Sequence, residues 1–372
     1  MNKEDETLDY LNVEYPSLIV CKDDLVKILS IVQKLSQPNS SSVECSSLSF
    51  FPKWDLNTLD LMITNNLTYF KMSIELLGDK SKELKDIFAI KVDFLNKIKP
   101  FLRDKVLFYK KDDNLYIRLI DGDLIVNYLI PSIEKLTFTS SIKELIYETR
   151  VNSFCNLLST YKSLQNDFTD KWLTFDGTKV CFCGSTYYAE SALKTPRMCL
   201  LFADIDLLVR LAQFYSDCAL EIYSTESDIP RLHIKVNNIE IELLNVLSNM
   251  QPLTIETLHN KISNVSYSVP TAALNRIFSL GISVPGIDND YTMKYEDNRL
   301  LVILKSSKGD SEFNLVTTEI DTSQSNTNEI KASLFMTGKI LNCINSEDTQ
   351  IALNTIYTTF VGDNIKAIVI NE

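Results

Sequence analysis

Apolar positions along this chain fall into alternating runs and helical stripes, and the two kinds of pattern succeed one another six times. Alternation with period two predicts strands, and spacing of i, i+3, i+4, i+7 predicts amphipathic helices. Leu18 to Cys21 reads as a strand. Lys22 to Leu35 then reads as a helix, with Leu25, Ile28, Leu29, Val32 and Leu35 on one face and Lys27 and Lys34 opposite. A hairpin follows around Asn65-Asn66. The second round has a strand at 87–92, Asp93 as a helix cap and Leu95, Ile98 and Leu102 facing inward. Lys97, Lys99 and Arg103 lie elsewhere on that helix, which Pro100 should kink or shorten. Asp112-Asp113-Asn114 and Asp121-Gly122 predict turns, and Leu124 to Ile130 a strand.

The third round places a strand at Leu136 to Thr139 and a helix from Ser141 toward Lys162, carrying Lys143 and Arg150. A hairpin at Asp176-Gly177 follows. In the fourth, Met198 to Ala203 leads into a helix capped by Asp204 or Asp206, with Arg210 pointing away from its apolar stripe. Strands flank the Asn237-Asn238 turn. In the fifth, Tyr267 to Val269 and Pro270 open a helix with Leu274, Ile277 and Phe278 inward, Arg276 outward and Gly281 as its C-cap. The sixth runs from a strand at 329–334 into a helix with Lys339 outward. Strands at 349–359 and 365–370 close the chain. Six units in 372 residues are about 62 residues each, too short to hold a core alone, so they should pair into three domains.

Hydrophobic content of 45% and charged content of 23% describe an ordinary globular protein. No apolar run is long enough to span a bilayer, and the acidic N-terminus does not read as a signal peptide. The chain is read as cytoplasmic. Its eight cysteines are scattered and read as reduced, buried residues. Cys181 and Cys183 share a strand face but lack further ligands for zinc. The net charge of −12 argues against nucleic acid until the placement of the cations is considered. Every predicted helix is basic on its wet face. Gathered on one surface, those cations suit sequence-independent contact with phosphates.

Chemistry is thinly represented. The two histidines, His233 and His259, read as structural. No Gly-rich phosphate loop, nucleophile elbow or zincin pattern occurs. Asp23/Asp24 and Asp204/Asp206 fit helix starts, and Glu144/Glu148 fit a solvent-facing helix surface. The expectation is a non-enzyme with no cofactor and no catalytic or metal site.

With length, repeat order and charge placement combined, the chain resembles the DNA polymerase sliding clamps of the three-domain bacterial β type. Asp123-Leu124-Ile125-Val126-Asn127-Tyr128-Leu129-Ile130-Pro131 resembles the edge strand that forms half of that family's ring interface. The stretch from Thr271 to Leu280 resembles the helix forming the other half. The family's Met-Pro-Met-like tail is replaced by Ile368-Val369-Ile370-Asn371-Glu372. Its Thr-Asp-Gly-His-Arg-like stretch is replaced by Ser185-Thr186-Tyr187-Tyr188-Ala189. The resemblance implies an α+β fold of three clamp-like domains, 1–131, 132–260 and 261–372. Each would hold two strand–helix–sheet repeats, with helices lining an inner surface and sheets forming an outer wall.

It also implies a processivity factor that encircles double-stranded DNA as a head-to-tail homodimer and tethers a polymerase, with a clamp loader as second partner and no membrane. The alternative is a clamp-fold chain that forms no ring, acting as a monomeric polymerase accessory subunit or viral transcription factor. The implied DNA contacts are Lys27, Lys34, Lys97, Lys99, Arg103, Lys143, Arg150, Arg210, Arg276 and Lys339. The implied dimer interface uses Leu124, Val126, Ile277, Phe278 and Leu280. The implied partner-peptide groove uses Tyr187, Tyr188, Leu243, Leu244, Pro252, Val369 and Ile370. Of the adjacent tyrosines one should reach the surface, since neighbours on a strand face opposite ways.

Overall fold

The computed structural model describes residues 13–371, except 34, 37–44, 79–81, 122–123, 131–141, 163, 165–171, 184–186, 227–228, 246–266, 298, 307–308, 317 and 320–326. The chain divides into two compact units: Met1–Cys155 with Asp206–Asn245, and Asn156–Ile205 with Val246–Glu372. Among the described residues it is an α+β protein with four antiparallel sheets and six α-helices.

The first unit holds two sheets. One has the order β1 (Ser17–Cys21), β6 (Lys105–Lys111), β7 (Asn114–Asp121), β8 (Leu124–Ile130). The other has the order β5 (Phe88–Lys91), β2 (Ser47–Lys53), β3 (Thr58–Thr64), β4 (Tyr69–Glu75), β16 (Ile239–Leu244), β15 (Arg231–Val236), β14 (Ala219–Thr225), β9 (Ile142–Arg150). The second unit holds a nine-stranded sheet in the order β13 (Met198–Leu201), β10 (Trp172–Phe175), β11 (Lys179–Cys183), β12 (Tyr187–Ala192), β25 (Lys366–Ile370), β24 (Tyr357–Val361), β23 (Asp348–Leu353), β17 (Tyr267–Pro270), β21 (Thr318–Glu319). Its four-stranded sheet runs β20 (Ser311–Val316), β19 (Arg299–Ser306), β18 (Ile287–Glu296), β22 (Glu329–Ser333).

Six times a strand passes into a helix with no residue between them. The pairs are β1 to α1 (Lys22–Val32), β5 to α2 (Val92–Ile98), β9 to α3 (Val151–Lys162), β13 to α4 (Phe202–Tyr215), β17 to α5 (Thr271–Ser283) and β22 to α6 (Leu334–Cys343). These six entry strands are exchanged in pairs. β1 joins β6 of the second repeat, and β5 joins β2 of the first. β9 joins β14 while β13 joins β10, and β17 joins β23 while β22 joins β18. Neither member of a pair can complete its sheet alone. That is the physical reason for pairing six short repeats into three larger folds.

Turn chemistry follows the sequence. Asn66, Asp112, Asp113, Asn237 and Asp297 all adopt positive φ, which tight hairpins demand and Asn and Asp tolerate. The apolar stripe of α1 is buried as its spacing predicts, from Leu25 to Leu35. Pro100 ends α2 at Ile98 in a short 3-10 turn, Lys99–Phe101.

Several expectations are corrected. Residues 142–150 form strand β9, not a helix, so Lys143, Glu144, Glu148 and Arg150 sit on a sheet edge. Its β-branched and aromatic residues pair with β14, and tertiary pairing outweighs local helical spacing. The strand expected at 136–139 lies outside the described residues. Residues 349–359 are two strands broken by the turn after Leu353. Gly281 lies within α5 rather than capping it. A Cβ there would meet Leu304 Cδ1 at 2.9 Å and Leu334 Cδ1 at 3.0 Å. Asp93 is in the first turn of α2 and pairs with Lys97 instead of capping.

Candidate nucleic-acid interface

The ten cations expected to touch phosphate divide into groups with different commitments. Lys97 is well exposed and meets Asp93, one turn back, at 2.7 Å. An exposed pair of this kind is worth well under 1 kcal/mol and yields readily to a phosphate. Lys99 is half-buried at the end of α2, and Arg103 is exposed just beyond it. Arg276 is exposed on α5. Lys339 lies on α6 with its ammonium 4.5 Å from the ring centre of Phe335, itself exposed. Lys143 and Arg150 are exposed on β9. Lys34 lies outside the described residues.

Lys27 and Arg210 are different. Both are half-buried and engaged within the first unit. Lys27 Nζ sits 4.3 Å from the ring centre of Tyr215 and 5.9 Å from that of Phe214. Arg210 Nη1 donates to the Ser30 carbonyl at 3.0 Å. Their placement opposite the apolar stripes showed which face they occupy but could not show that the partners of that face come from a helix far away in sequence.

The proposed interface residues also divide. Ile277 and Phe278 are core, at 6% and 1% exposure, because the α5 stripe that contains them packs inward. Leu280 is exposed, and Ile282 and Val284 beside it are exposed as well. On β8, Val126 is half-buried and the side chain of Leu124 lies outside the described residues. Ile125, Tyr128 and Leu129 are exposed large apolar side chains of that edge strand. Residues of both rows of β8 are exposed, which strand alternation alone does not predict.

For the peptide groove, both tyrosines are buried, against the expectation that one would emerge. Tyr187 donates from its hydroxyl to the Leu164 carbonyl at 2.9 Å. Tyr188 donates to Glu190 Oε2 at 2.7 Å and packs with Cys181 and Ile368, with Tyr357 alongside. Tyr188 is covered by neighbouring side chains of its own sheet, so alternation turns neither ring to solvent. Burial pushes the Tyr188 hydroxyl upward and the Cys181 thiol up to about 11. Val369 and Leu243 are core, Leu244 is half-buried and Pro252 lies outside the described residues. Ile370 is exposed. So is Ile356, whose carbonyl accepts from the Asn371 amide at 2.8 Å. Ile356 fell inside the single strand expected at 349–359, so no sequence signal marked it as exposed.

Among the described residues, no three His, Cys, Asp or Glu side chains gather as metal ligands. His233 is buried in β15, where burial lowers its imidazole to about 4. His259 lies outside the described residues.

No protein-family model matches the sequence, and no curated protein matches it. Solved structures do. A DNA polymerase sliding clamp from Pseudomonas aeruginosa superposes with a TM-score of 0.77 at 13% identity, over 96% of this chain and 99% of that one. The DNA polymerase III beta subunit of Thermotoga maritima gives 0.74 at 11%, over 96% and 99%. A Helicobacter pylori beta clamp bound to a DNA ligase peptide gives 0.70 at 12%, with the same coverage. This chain has the sliding-clamp fold. The correspondence extends over nearly the whole length of both chains. Identities this low carry the clamp fold and leave individual site residues to be argued from their own surroundings.

Proposed function

We propose that this clamp-fold chain is a DNA sliding clamp. It would close as a head-to-tail homodimer around duplex DNA and tether a polymerase, with no chemistry of its own. The single observation that carries this reading is the match in fold to clamps over nearly the whole of both chains. Three domains divided near residues 131 and 260 fit the exchange of entry strands between repeats 1 and 2, 3 and 4, and 5 and 6. The phosphate contacts would come from Lys97, Lys99, Arg103, Arg276 and Lys339. Scattered single cations suit a ring that must slide, because linkage rather than affinity then retains it.

Ring closure would join the exposed edge of β8, through Ile125, Tyr128 and Leu129, to Leu280, Ile282 and Val284 of a second copy. Such a contact is heterologous and closes after two copies. Partner peptides of the polymerase and loader would use apolar anchors against Ile356 and Ile370, in keeping with the ligase peptide bound by the Helicobacter clamp. Such a factor works in the cytoplasm, on the replicating DNA.

The test is topological. Protein loaded on a nicked circular plasmid should stay bound at high salt and be released when the circle is linearised. Equal loss from circular and linear DNA would leave the non-ring alternative. Sedimentation of Ile125→Asp and Leu280→Asp should shift the dimer to monomer. A wild-type chain already monomeric at micromolar concentration would count against the ring.

A further inference from the structure

Helices α1 and α4 share an unusual exchange of charge at their ends. Neither carries a basic residue in its last turn. Helix C-termini favour a cation, which meets unsatisfied carbonyls and the negative end of the dipole. Each helix receives a cation from the other near that end, at a carbonyl in α1 and over an aromatic ring in α4. Arg210, in the body of α4, reaches the last turn of α1, donating to the Ser30 carbonyl at 3.0 Å and approaching Gln33 Oε1 at 3.4 Å. Lys27, in the body of α1, reaches the last turn of α4 and sits over Tyr215, the final residue of that helix.

The exchange continues into the sheet below. The Tyr215 hydroxyl donates to Asn238 Oδ1 at 3.0 Å. Asn238 Nδ2 donates in turn to the Ser73 carbonyl at 2.6 Å, and the Ser73 amide donates to the Asn238 carbonyl at 2.9 Å. Asn238 occupies the β15–β16 turn and Ser73 is in β4, so this path runs beside the join between β4 and β16. One connected set of side chains thus ties the first repeat to the fourth, at both helix and sheet level.

We propose that Lys27 and Arg210 are positioning residues that lock α1 to α4, Arg210 by capping the end of α1 and Lys27 by lying on the ring that ends α4, and that they are not phosphate contacts. A cation whose donors are turned onto a helix end, or whose ammonium lies on a buried ring, is poorly placed to release counterions from DNA. The second half of this proposal rests on the sliding-clamp reading; the first half does not.

Hydrogen–deuterium exchange and DNA binding separate the two roles. In Arg210→Ala, amides of the last turn of α1 should exchange about tenfold faster, the effect expected of losing one charge-assisted hydrogen bond. The slope of log affinity against log salt, measured on a 30-base-pair duplex, should equal that of wild type. Lys27→Met should do the same at the last turn of α4. Arg103→Ala is the control: it should lower the salt slope by about one and leave both turns protected. Arg210→Lys should recover part of the protection, because it keeps a cation at the carbonyl but loses the planar fork. Unchanged exchange in Arg210→Ala, or a salt slope reduced as in Arg103→Ala, would overturn the proposal. Should Arg210→Ala not fold, Arg210→Gln is read the same way. If wild type binds no duplex at low salt, the sliding-clamp reading fails, and exchange alone still decides whether the two helices are locked.

Discussion

Each unit contains one long sheet made by joining two shorter ones, and the two joins use opposite chemistry. In the first unit, β4 meets β16 along the rows Met72–Ile239, Lys71–Glu240, Phe70–Ile241 and Tyr69–Glu242. Lys71 bridges Glu240 at 2.8 Å and Asp60 at 3.8 Å, and Asp60 also takes Lys53 at 2.7 Å and the Ser73 hydroxyl at 2.6 Å. In the second unit, β12 meets β25 along Tyr187–Val369, Tyr188–Ile368, Ala189–Ala367 and Glu190–Lys366. There the ring of Tyr188 fills the space between Cys181 and Ile368, and the lone buried carboxylate, Glu190, is met by Lys179 at 2.9 Å. Four paired rows serve in both places. One join is held by solvent-sensitive charge and the other by close packing, so the two should fail under different stresses.

The largest effect should come from breaking the packed join. Tyr188→Ala removes a fully buried ring and leaves Glu190 short of a hydrogen bond. Core aromatic truncations cost about 3–5 kcal/mol, and this one should show as a large fall in the denaturation midpoint, insensitive to salt between 0.05 and about 0.5 M. Tyr188→Phe, which keeps the ring, should recover most of the loss. A change in Tyr188→Ala below about 1 kcal/mol would mean that the ring is not a structural element of the join.

Next in size is a pH effect confined to the charged join. His233 lies in β15 beside Glu240, with Lys235 and Lys71 also acting on it. Burial, opposed by Glu240 and assisted by the two lysines, holds its folded value at about 4. The unfolded chain protonates near the ordinary histidine value of about 6.5. Between those values the unfolded state binds the extra proton, so stability is complete above about 6.5 and declines as pH falls toward 4. The full loss is on the order of 3 kcal/mol. His233→Gln should flatten the stability profile across that window. An unchanged profile would remove His233 from the account, and an equal flattening on altering the β12–β25 join would erase the contrast.

Much of this architecture was legible in the chain. Stripes such as Leu25 to Leu35 and turns such as Asp112-Asp113 are local, and local signals set local structure. The exchange of entry strands was not legible, because pairing partners such as β5 and β2 or β13 and β10 are chosen by long-range packing. Residues 142–150 misled for the same reason, carrying a helix-like spacing into a strand fixed by β14. At the candidate interface, periodicity separated wet faces from dry ones, which suffices for Lys97, Arg103 and Arg276. It could not separate a cation facing solvent from one facing a second helix, as with Lys27 and Arg210. Nor could it distinguish a strand covered on one face from one covered on both, and Tyr187 and Tyr188 turned on that difference.

The smallest predicted effect tests the charged join itself. Lys71 keeps about a sixth of its surface, with 16% exposure, and Glu240 keeps 30%. Solvent therefore screens their attraction, and Lys71→Met should cost only about 1 kcal/mol at low salt. Asp60, at 2% exposure, still has Lys53 and Ser73, so it is not left as a bare buried charge. The informative quantity is how that cost changes with ionic strength. Raising salt from 0.05 to about 1 M shrinks the Debye length to about 3 Å and should remove most of the difference between Lys71→Met and wild type. A double-mutant cycle with Glu240→Gln isolates the pair from the neighbouring Asp60. A coupling near zero at low salt, or one that persists undiminished at high salt, would show that the backbone ladder and the apolar rows Met72–Ile239 and Phe70–Ile241 hold this join. The two joins would then differ in composition and not in mechanism.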